Sequence, residues 1–398
     1  MYNSSLKLYL EINSSNYIFL VAKNDEQNDL KIIYKQEIPL KDIMHNRVFD
    51  FENIYLIVKE NIYLIEKALK HTFKEIVLIL DYFHPNFISL SGYKKLNGTQ
   101  ILRENIIYIL NNLKSCVSIN ESKKTILHIF NTKFYLDKKI INNLPIGLFG
   151  NFYSHELSLI LMNTDEFRSL KNIFNKSNLK IKKIFIKSFI EGAYISNTHK
   201  NHETFFKIRI SNNESKIFFF ENNSLKFEQK FRFGTDIIIK DVSKITSLKV
   251  ENIKLIFTNL DFEKHIPEDE FIDKEFFKNM IYKKIKKKLV YDIALARIKE
   301  ITEILIFKNI NLKNYIKFSK DIFLEIDSKP QLKSLDIFYQ NIFSNRGNLK
   351  LNFVNILSKE SLLNTTDKLV HFGWDREVIP TTKTKKTLIR RVFEAIFS

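Results

Sequence analysis

The order of predicted elements along the chain repeats once, and this repetition constrains the fold more than any single motif. Three β-type runs separated by polar turns lie within residues 6–38, and a helix with apolar spacing follows at 51–71. Three further runs with asparagine-rich turns lie within residues 203–231, and a helix follows at 235–245. With 398 residues, 44% of them hydrophobic, the chain is long enough for two α/β halves, each with its own core.

Two α/β halves of this kind suggest an actin-like ATPase architecture. The first half is interrupted, because residues 84–164 contain their own helix near 101–115 and their own strands. We therefore predict a first half at residues 1–83 and 165–198, a small inserted α/β domain at 84–164, and a second half at 199–374.

A long basic helix is predicted in the second half, at residues 274–305. Within it, residues 282–289 read YKKIKKKL and place five lysines within six positions. Such a run favours a solvated helix face or one that frays through its own repulsion, although it could also receive an acidic partner peptide.

The end of the chain has a basic amphipathic pattern. Residues 387–398 predict a helix of about 18 Å, too short to span the ~30 Å hydrocarbon core of a bilayer but able to lie in its interface. A polar segment at 375–386, which contains Pro380, predicts a flexible linker before it. A terminal helix packed on its own domain remains the alternative. The predicted membrane-binding side chains are Lys383, Lys385, Lys386, Leu388, Ile389, Arg390, Arg391, Val392, Phe393, Ile396 and Phe397.

Composition argues against several other classes of protein. No apolar run reaches transmembrane length and the N-terminus lacks a signal-peptide pattern, so we expect neither element. The single cysteine, Cys116, excludes a disulfide framework and points to the cytoplasm. His199, His202 and Glu203 lie in a polar loop that matches no zinc motif, so we expect no metal site. The net charge of +18 comes mostly from lysine throughout the chain, which favours solvated faces over a nucleic-acid surface.

Three runs between residues 125 and 254 carry a resemblance to a known family: TILHIFNTKFYLDKKIINNLPIGLFG at 125–150, FIEGAYIS at 189–196 and FGTDIIIKDVSKITSLKVENIK at 233–254. In these runs the sequence resembles the bacterial cell-division family FtsA. The resemblance continues more weakly in DIALARIKEI at 292–301, which contains Arg297, and in the terminal amphipathic helix, which resembles that family's membrane-targeting sequence.

This resemblance implies an actin-like fold in which residues 84–164 form the inserted subdomain called 1C. It implies a peripheral protein on the cytoplasmic face of the inner membrane at the division site, which self-associates and tethers the FtsZ polymer to anionic lipids. It also implies that subdomain 1C recruits later division proteins and that Arg297 contacts the FtsZ C-terminal tail. An equally open interpretation makes Arg297 a surface residue paired with Glu300 at i,i+3.

The resemblance further implies ATP binding between the two halves. The cofactor-binding positions that it implies are Glu11, Ser14, Ser15 and Gly234. The sequence departs from the family at the first phosphate loop, where Asn13 replaces a glycine but could tolerate a similar backbone conformation.

The other two ATP-binding motifs depart further. The second phosphate loop reads RISNNE at 209–214 in place of a glycine-rich turn, which leaves Arg209 as a possible permanent cation there. In the adenosine motif, Ile326 and Asp327 replace two glycines. We therefore predict weak ATP binding or none, no meaningful hydrolysis, and no enzyme activity. Two competing hypotheses are an active actin-like ATPase and a basic nucleic-acid-binding protein.

Overall fold

A computed structural model describes residues 6–26, 29–39, 51–81, 85–199, 202–259, 266–278, 280–328, 335–345 and 349–378. They divide into two compact units. The first unit contains the described residues up to His202, the segment Asn222–Lys226 and the chain from Leu357 onward. The second contains Glu203–Glu221 and Phe227–Ile356.

The regular elements of the described chain are strands and helices. In chain order they are β1 (Lys7–Ile12), β2 (Asn16–Asn24), β3 (Leu30–Pro39), α1 (Phe51–Leu69), β4 (Glu75–Leu80), β5 (Asn86–Lys95), α2 (Arg103–Asn120), β6 (Lys124–Leu136), β7 (Lys139–Ile141), β8 (Phe152–Asn163), α3 (Thr164–Lys176), β9 (Lys180–Ile186), α4 (Lys187–Thr198), β10 (Phe205–Ser211), β11 (Ser215–Glu221), β12 (Ser224–Phe231), α5 (Thr235–Thr246), α6 (Val250–Asn259), α7 (Lys287–Thr302), β13 (Asp321–Asp327), α8 (Leu335–Ser344), β14 (Lys350–Phe353) and α9 (Lys359–Phe372).

The main sheet of the first unit has the strand order β3-β2-β1-β4-β9. Strands β1, β2 and β3 form an antiparallel meander, and β4 and β9 add in parallel to β1. Strand β4 reads EIVLIL and is buried after its first residue, as expected for a strand covered on both faces. Strand β3 alternates exposed and half-buried residues, which suits an edge strand.

The main sheet of the second unit repeats this topology with the order β12-β11-β10-β13-β14. Strands β10 and β11 are antiparallel, whereas β13 and β14 add in parallel to β10. Its core includes alternate residues of β10, Ile208 and Ile210, packed with buried side chains of α5 and α7 such as Ile238 and Ala294. The repeated strand-strand-strand-helix order predicted from the sequence is therefore present in both units.

A separate four-stranded sheet of order β5-β8-β6-β7 lies between β4 and α3 in the chain, within the predicted insertion. Helix α2 packs on this sheet through Ile106, Ile109 and Leu110. Gly92 of β5 allows the close approach, because a Cβ at this position would lie 2.5 Å from Ile109 Cγ2.

The long basic helix predicted at 274–305 is wrong in its first half. Helix α7 begins only at Lys287, and the residue before it, Lys286, is extended and forms an isolated antiparallel bridge with Phe271. The lysines of this stretch pair with the acidic segment 268–270: Lys286 with Asp269, Lys287 with Glu270 and Lys288 with Glu268. A helix through the whole run would have stacked like charges at i,i+3 and i,i+4, whereas here the extended Lys286 and the first two residues of α7 each lie beside a carboxylate.

The end of the described chain differs from the prediction in two respects. The sequence predicts that residues up to 374 belong to the second half and that residues 375–386 form a linker. Helix α9 belongs to the first unit, because Asp367 accepts hydrogen bonds from Lys7 and Tyr9 of β1, and the Asn364 side chain accepts one from the Leu30 amide. The linker predicted at 375–386 does not start at residue 375, because Val378 is 3% exposed. Within the described ranges, every helix is too short or too polar to cross a bilayer.

Candidate functional site

Charged side chains meet at the carboxyl ends of the parallel strands of the first unit. Glu11 lies near the end of β1, Asp81 directly follows β4, and Lys187 directly follows β9 at the start of α4. Lys359, the first residue of α9, joins them from another part of the chain. We call these four residues the charge cluster. Parallel strands place their carboxyl ends at one edge of a sheet, so the sequence positions bring the first three together.

The charge cluster is internally paired. Lys187 Nζ lies 3.0 Å from Glu11 Oε1 and 3.0 Å from Asp81 Oδ2, and Lys359 Nζ lies 2.5 Å from Glu11 Oε2. The Glu11 side chain is completely buried, whereas that of Lys359 is 27% exposed. Two carboxylates and two ammonium groups therefore balance in formal charge.

The ammonium groups keep Glu11 ionised in spite of its burial. Burial alone raises the pKa of the Glu11 carboxyl, but the charges of Lys187 and Lys359 outweigh burial and hold that pKa below its ordinary value. At neutral pH the cluster therefore contains an ionised carboxylate with two ammonium groups as its partners.

The loop after β1 is closed by the side chain of Asn13. Its Oδ1 atom accepts hydrogen bonds from Ser15 N at 2.9 Å, Ser15 Oγ at 3.1 Å and Asn16 N at 2.7 Å. The structure thus brings Glu11, Ser14 and Ser15 to one edge of the sheet. It also gives the amides of Ser15 and Asn16 an acceptor from within the loop.

In the second unit, Gly234 lies against the turn between β10 and β11. It caps the N-terminus of α5, and a Cβ at this position would lie 2.0 Å from the Ser211 carbonyl oxygen. The amide of Asp236 donates to Asn212 O at 2.8 Å, so the turn covers the start of the helix. The backbone of Ser211 and Asn212 therefore occupies the space where a side chain at position 234 would lie.

The two divergent motifs of the second unit lie in strand β10 with the turn that follows it and in strand β13. Arg209, predicted as a possible permanent cation, lies 3.7 Å from Glu214 across the turn. Ile326 and Asp327 continue strand β13 and pair in parallel register with Ile210 and Ser211.

Arg297 is held on the surface of the second unit by two carboxylates. Its Nε donates to Asp241 Oδ2, and its Nη1 donates to Glu300 Oε2 at 2.5 Å. The hydrogen bond to Asp241 is the main cause that raises the pKa of Arg297 above its ordinary value. The pairing with Glu300 at i,i+3 that the sequence suggested is present, and the guanidinium also links α7 to α5.

A second buried charge site lies where the described chain ends. Residues 374–378, which we call the C-terminal root, pair with β6: Asn131 N donates to Arg376 O at 2.7 Å and Val378 N donates to Ile129 O at 2.7 Å. Trp374 Nε1 donates to Asn223 O at 2.6 Å. The root thereby extends one edge of the inserted sheet.

Glu377 fixes the C-terminal root through its carboxylate. Oε1 accepts from His128 Nδ1 at 2.7 Å and Oε2 accepts from Lys183 Nζ at 2.9 Å, and the Glu377 side chain is 3% exposed. Burial acts to raise the pKa of Glu377, but the charge of Lys183 and the hydrogen bond from His128 overcome it and lower that pKa to about 2.

Sequence reasoning missed most of the partners in these two charge sites. A charged residue directly after an apolar strand, as at Asp81 and Lys187, was the available signal for the cluster. Lys359 and Glu377 carried no comparable signal, because their partners are distant in sequence.

The predicted membrane-binding residues between Lys383 and Phe397 lie outside the described residues. Among the described residues, no group of three His, Cys, Asp or Glu side chains is placed to hold a metal ion.

Comparison with known proteins supports the fold. No protein-family model matches the sequence, and no curated protein matches it. Among solved structures, the PilM–PilN type IV pilus biogenesis complex matches with 11% identity over 92% of this chain and 95% of the other, with a TM-score of 0.50. MreB5 of Spiroplasma citri bound to ADP matches with 9% identity over 92% and 95% and a TM-score of 0.45. The ROK hexokinase from Thermus thermophilus matches with 8% identity over 91% and 96% and a TM-score of 0.40.

At these identities the similarity concerns the fold. The duplicated sheets and the match over nearly the full length of both chains establish an actin-like ATPase fold of mixed α/β sheets.

Proposed function

We propose that this protein is a membrane adaptor of the FtsA type, which self-associates and ties the FtsZ polymer to the cytoplasmic face of the inner membrane at the division site. It recruits later division proteins through the inserted domain at residues 84–164. In this proposal it is not an enzyme, it binds ATP weakly or not at all, and it does not bind nucleic acid.

The observation that carries the proposal is the anchored C-terminal root. The root is hydrogen-bonded to β6 as far as Val378, whose side chain is buried, and the basic amphipathic segment begins at residue 387. A root that is fixed to the folded body would hold that body at the membrane when the segment binds lipid. The actin-like fold and the inserted four-stranded sheet agree with the resemblance on which the rest of the proposal depends.

The anchor is tested by flotation with vesicles that contain anionic lipid. The full chain is expected to float at low salt and less at high salt, because the five cations near the apolar face of the segment are each worth about 1 kcal/mol at an anionic surface. A chain that ends at Thr382 and the variant Phe393→Glu are both expected to stay with the unbound protein.

The matched control is Phe372→Glu, which changes an aromatic residue that is 68% exposed on α9. It is expected to float like the unaltered chain. If the truncated chain floats, the folded body itself binds the membrane, and the assignment of the anchor to the terminal segment is wrong.

The contact with FtsZ is tested through Arg297. Arg297→Ala is expected to raise the Kd for a peptide of the FtsZ C-terminal tail by about tenfold, because a guanidinium can make charge-assisted hydrogen bonds to a carboxylate. Fluorescence anisotropy with a labelled peptide measures this, and Lys299→Ala, an exposed change on the same helix, serves as the control.

Asp241→Asn separates a binding role of Arg297 from a structural one. It removes one of the carboxylates that already hold the guanidinium, so peptide binding should be kept or strengthened. If the Asp241 and Arg297 variants weaken binding equally, Arg297 acts by linking α7 to α5 and does not contact the peptide.

A further inference from the structure

We infer that the first unit carries built-in substitutes for a bound cation and a bound oxyanion at the carboxyl edge of its sheet. The charge cluster supplies the first and the Asn13 loop supplies the second. This inference deepens the proposed function and rests on its claim that nucleotide is dispensable.

The cation substitute is the ammonium of Lys187. It lies 3.0 Å from one oxygen of Glu11 and 3.0 Å from one oxygen of Asp81, so a single positive group bridges two buried carboxylates. Without it, the buried carboxylates of Glu11 and Asp81 would lose the cation that they share, and a divalent cation could take its place. Lys359 adds a second positive charge on the other oxygen of Glu11.

The oxyanion substitute is the carboxamide oxygen of Asn13. Three donors converge on it, from the Ser15 amide, the Ser15 hydroxyl and the Asn16 amide. Convergent backbone amides and a hydroxyl are the groups with which a loop binds a phosphate oxygen. Here a side chain of the same loop satisfies them.

Both substitutes are covalent parts of the chain and cannot dissociate. The first unit therefore holds one state whether or not a divalent cation or an oxyanion is present. An adaptor built in this way would not be switched by nucleotide.

The cation substitute is tested with Lys187→Ala and thermal unfolding in the presence of Mn²⁺ alone. The unaltered protein is expected to show the same Tm with and without about 1 mM Mn²⁺. This concentration is far above the Kd of a specific Mn²⁺ site, so an open site would reveal itself as a rise in Tm. Lys187→Ala is expected to lower Tm by about 5–10 °C, and Mn²⁺ should restore a large part of that loss. Lys368→Ala changes an exposed lysine of α9 and should show neither effect.

A second variant keeps the test decisive if Lys187→Ala does not fold. In Glu11→Gln/Lys187→Ala one negative charge is removed with the positive one, so the protein should regain stability and lose its response to Mn²⁺. A rise in Tm of the unaltered protein with Mn²⁺ would overturn the inference. So would a double variant that is no more stable than Lys187→Ala.

The oxyanion substitute is tested with Asn13→Gly and inorganic phosphate, with chloride at equal ionic strength as the control. Phosphate should raise the Tm of Asn13→Gly and leave that of the unaltered protein unchanged. If the Tm of the variant does not respond, this half of the inference is overturned.

Flotation of the same variants separates the inference from the proposed adaptor function. Variants that respond to ligands as expected but do not float contradict the adaptor function, whereas variants that float without any ligand response contradict only the built-in substitutes.

Discussion

Replacing Glu377 with glutamine is expected to weaken the attachment of the C-terminal root to the inserted sheet by about 3 kcal/mol at neutral pH. The carboxylate is 3% exposed, and its partner Lys183 is 13% exposed, so the amide leaves a largely buried ammonium without a counter-ion. Loss of one member of a buried pair costs about 3–5 kcal/mol, mainly because the remaining charge is desolvated. The hydrogen bond from His128 is altered in the same step.

Hydrogen exchange of two amides measures this effect locally. Asn131 N and Val378 N donate across the pairing of β6 with the root, so they exchange only when the root opens. A loss of about 3 kcal/mol corresponds to exchange that is roughly a hundredfold faster. Glu360→Gln, an exposed change on α9, should leave both rates within about twofold.

A double variant shows whether the charge itself is the cause. Glu377→Gln/Lys183→Met removes both members of the pair, so it should exchange more slowly than Glu377→Gln alone. Equal rates in the single and double variants would mean that the root is held by its backbone pairing and not by the ion pair. Flotation should persist in both variants, because the amphipathic segment is unchanged.

The pH dependence of the root has a defined sign. The pKa of Glu377 falls from its ordinary value of 4.5 to about 2 in the folded protein, so folding favours the ionised form. The resulting stabilisation is complete above pH 4.5 and is lost as the pH falls through about 2. This difference in pKa corresponds to about 3 kcal/mol, and Glu377→Gln should show no such loss over the same range.

The repeated sheets could be predicted from the sequence because their signals are local. Apolar runs separated by asparagine-rich turns define the two meanders, and a buried strand such as β4 reads as a continuous apolar run. The predicted runs at residues 6–38 and 203–231 correspond to strands β1–β3 and β10–β12. Strand β5 was missed because its sequence, NFISLSGYKK, has little continuous apolar character.

Two further errors share one physical cause, which is pairing with residues outside the local sequence pattern. The lysine run at 282–289 has a helical pattern, but Lys286 is extended and bridges Phe271, and the helix begins only at Lys287. The polar segment from 375 onward reads as a linker, but Glu377 finds its partners 194 and 249 residues earlier in the chain. Neither partner can be identified from local composition.

The candidate site likewise contains residues that could be predicted from the sequence and residues that could not. Glu11 could be predicted from its position at the end of an apolar strand and from the family resemblance. The cations that neutralise it could not, since Lys359 approaches from the opposite end of the sequence. Asn13 was recognised as a departure from glycine, but its side chain acts as a hydrogen-bond acceptor, which backbone preferences alone do not reveal.

Replacing Gly234 with alanine is expected to destabilise the second unit by about 3 kcal/mol or more. The new methyl carbon would lie 2.0 Å from Ser211 O and 2.7 Å from Asn212 O, and neither backbone oxygen can rotate away. Relief requires the turn after β10 to separate from α5, which breaks the 2.8 Å hydrogen bond from Asp236 N to Asn212 O.

Gly92→Ala provides the matched comparison for Gly234→Ala. Its methyl carbon would meet a side chain, Ile109 Cγ2, at 2.5 Å, and that side chain can change rotamer, so a smaller cost of about 1–2 kcal/mol is expected. Urea unfolding, together with exchange of the Asp236 amide, measures both variants. If Gly234 instead existed to let a phosphate approach, the alanine variant would fold normally and lose only ligand binding. A large loss of stability would show that Gly234 serves the packing of the second unit. Gly234 is the one glycine among the cofactor-binding positions that the resemblance implies, and it would then have a structural explanation.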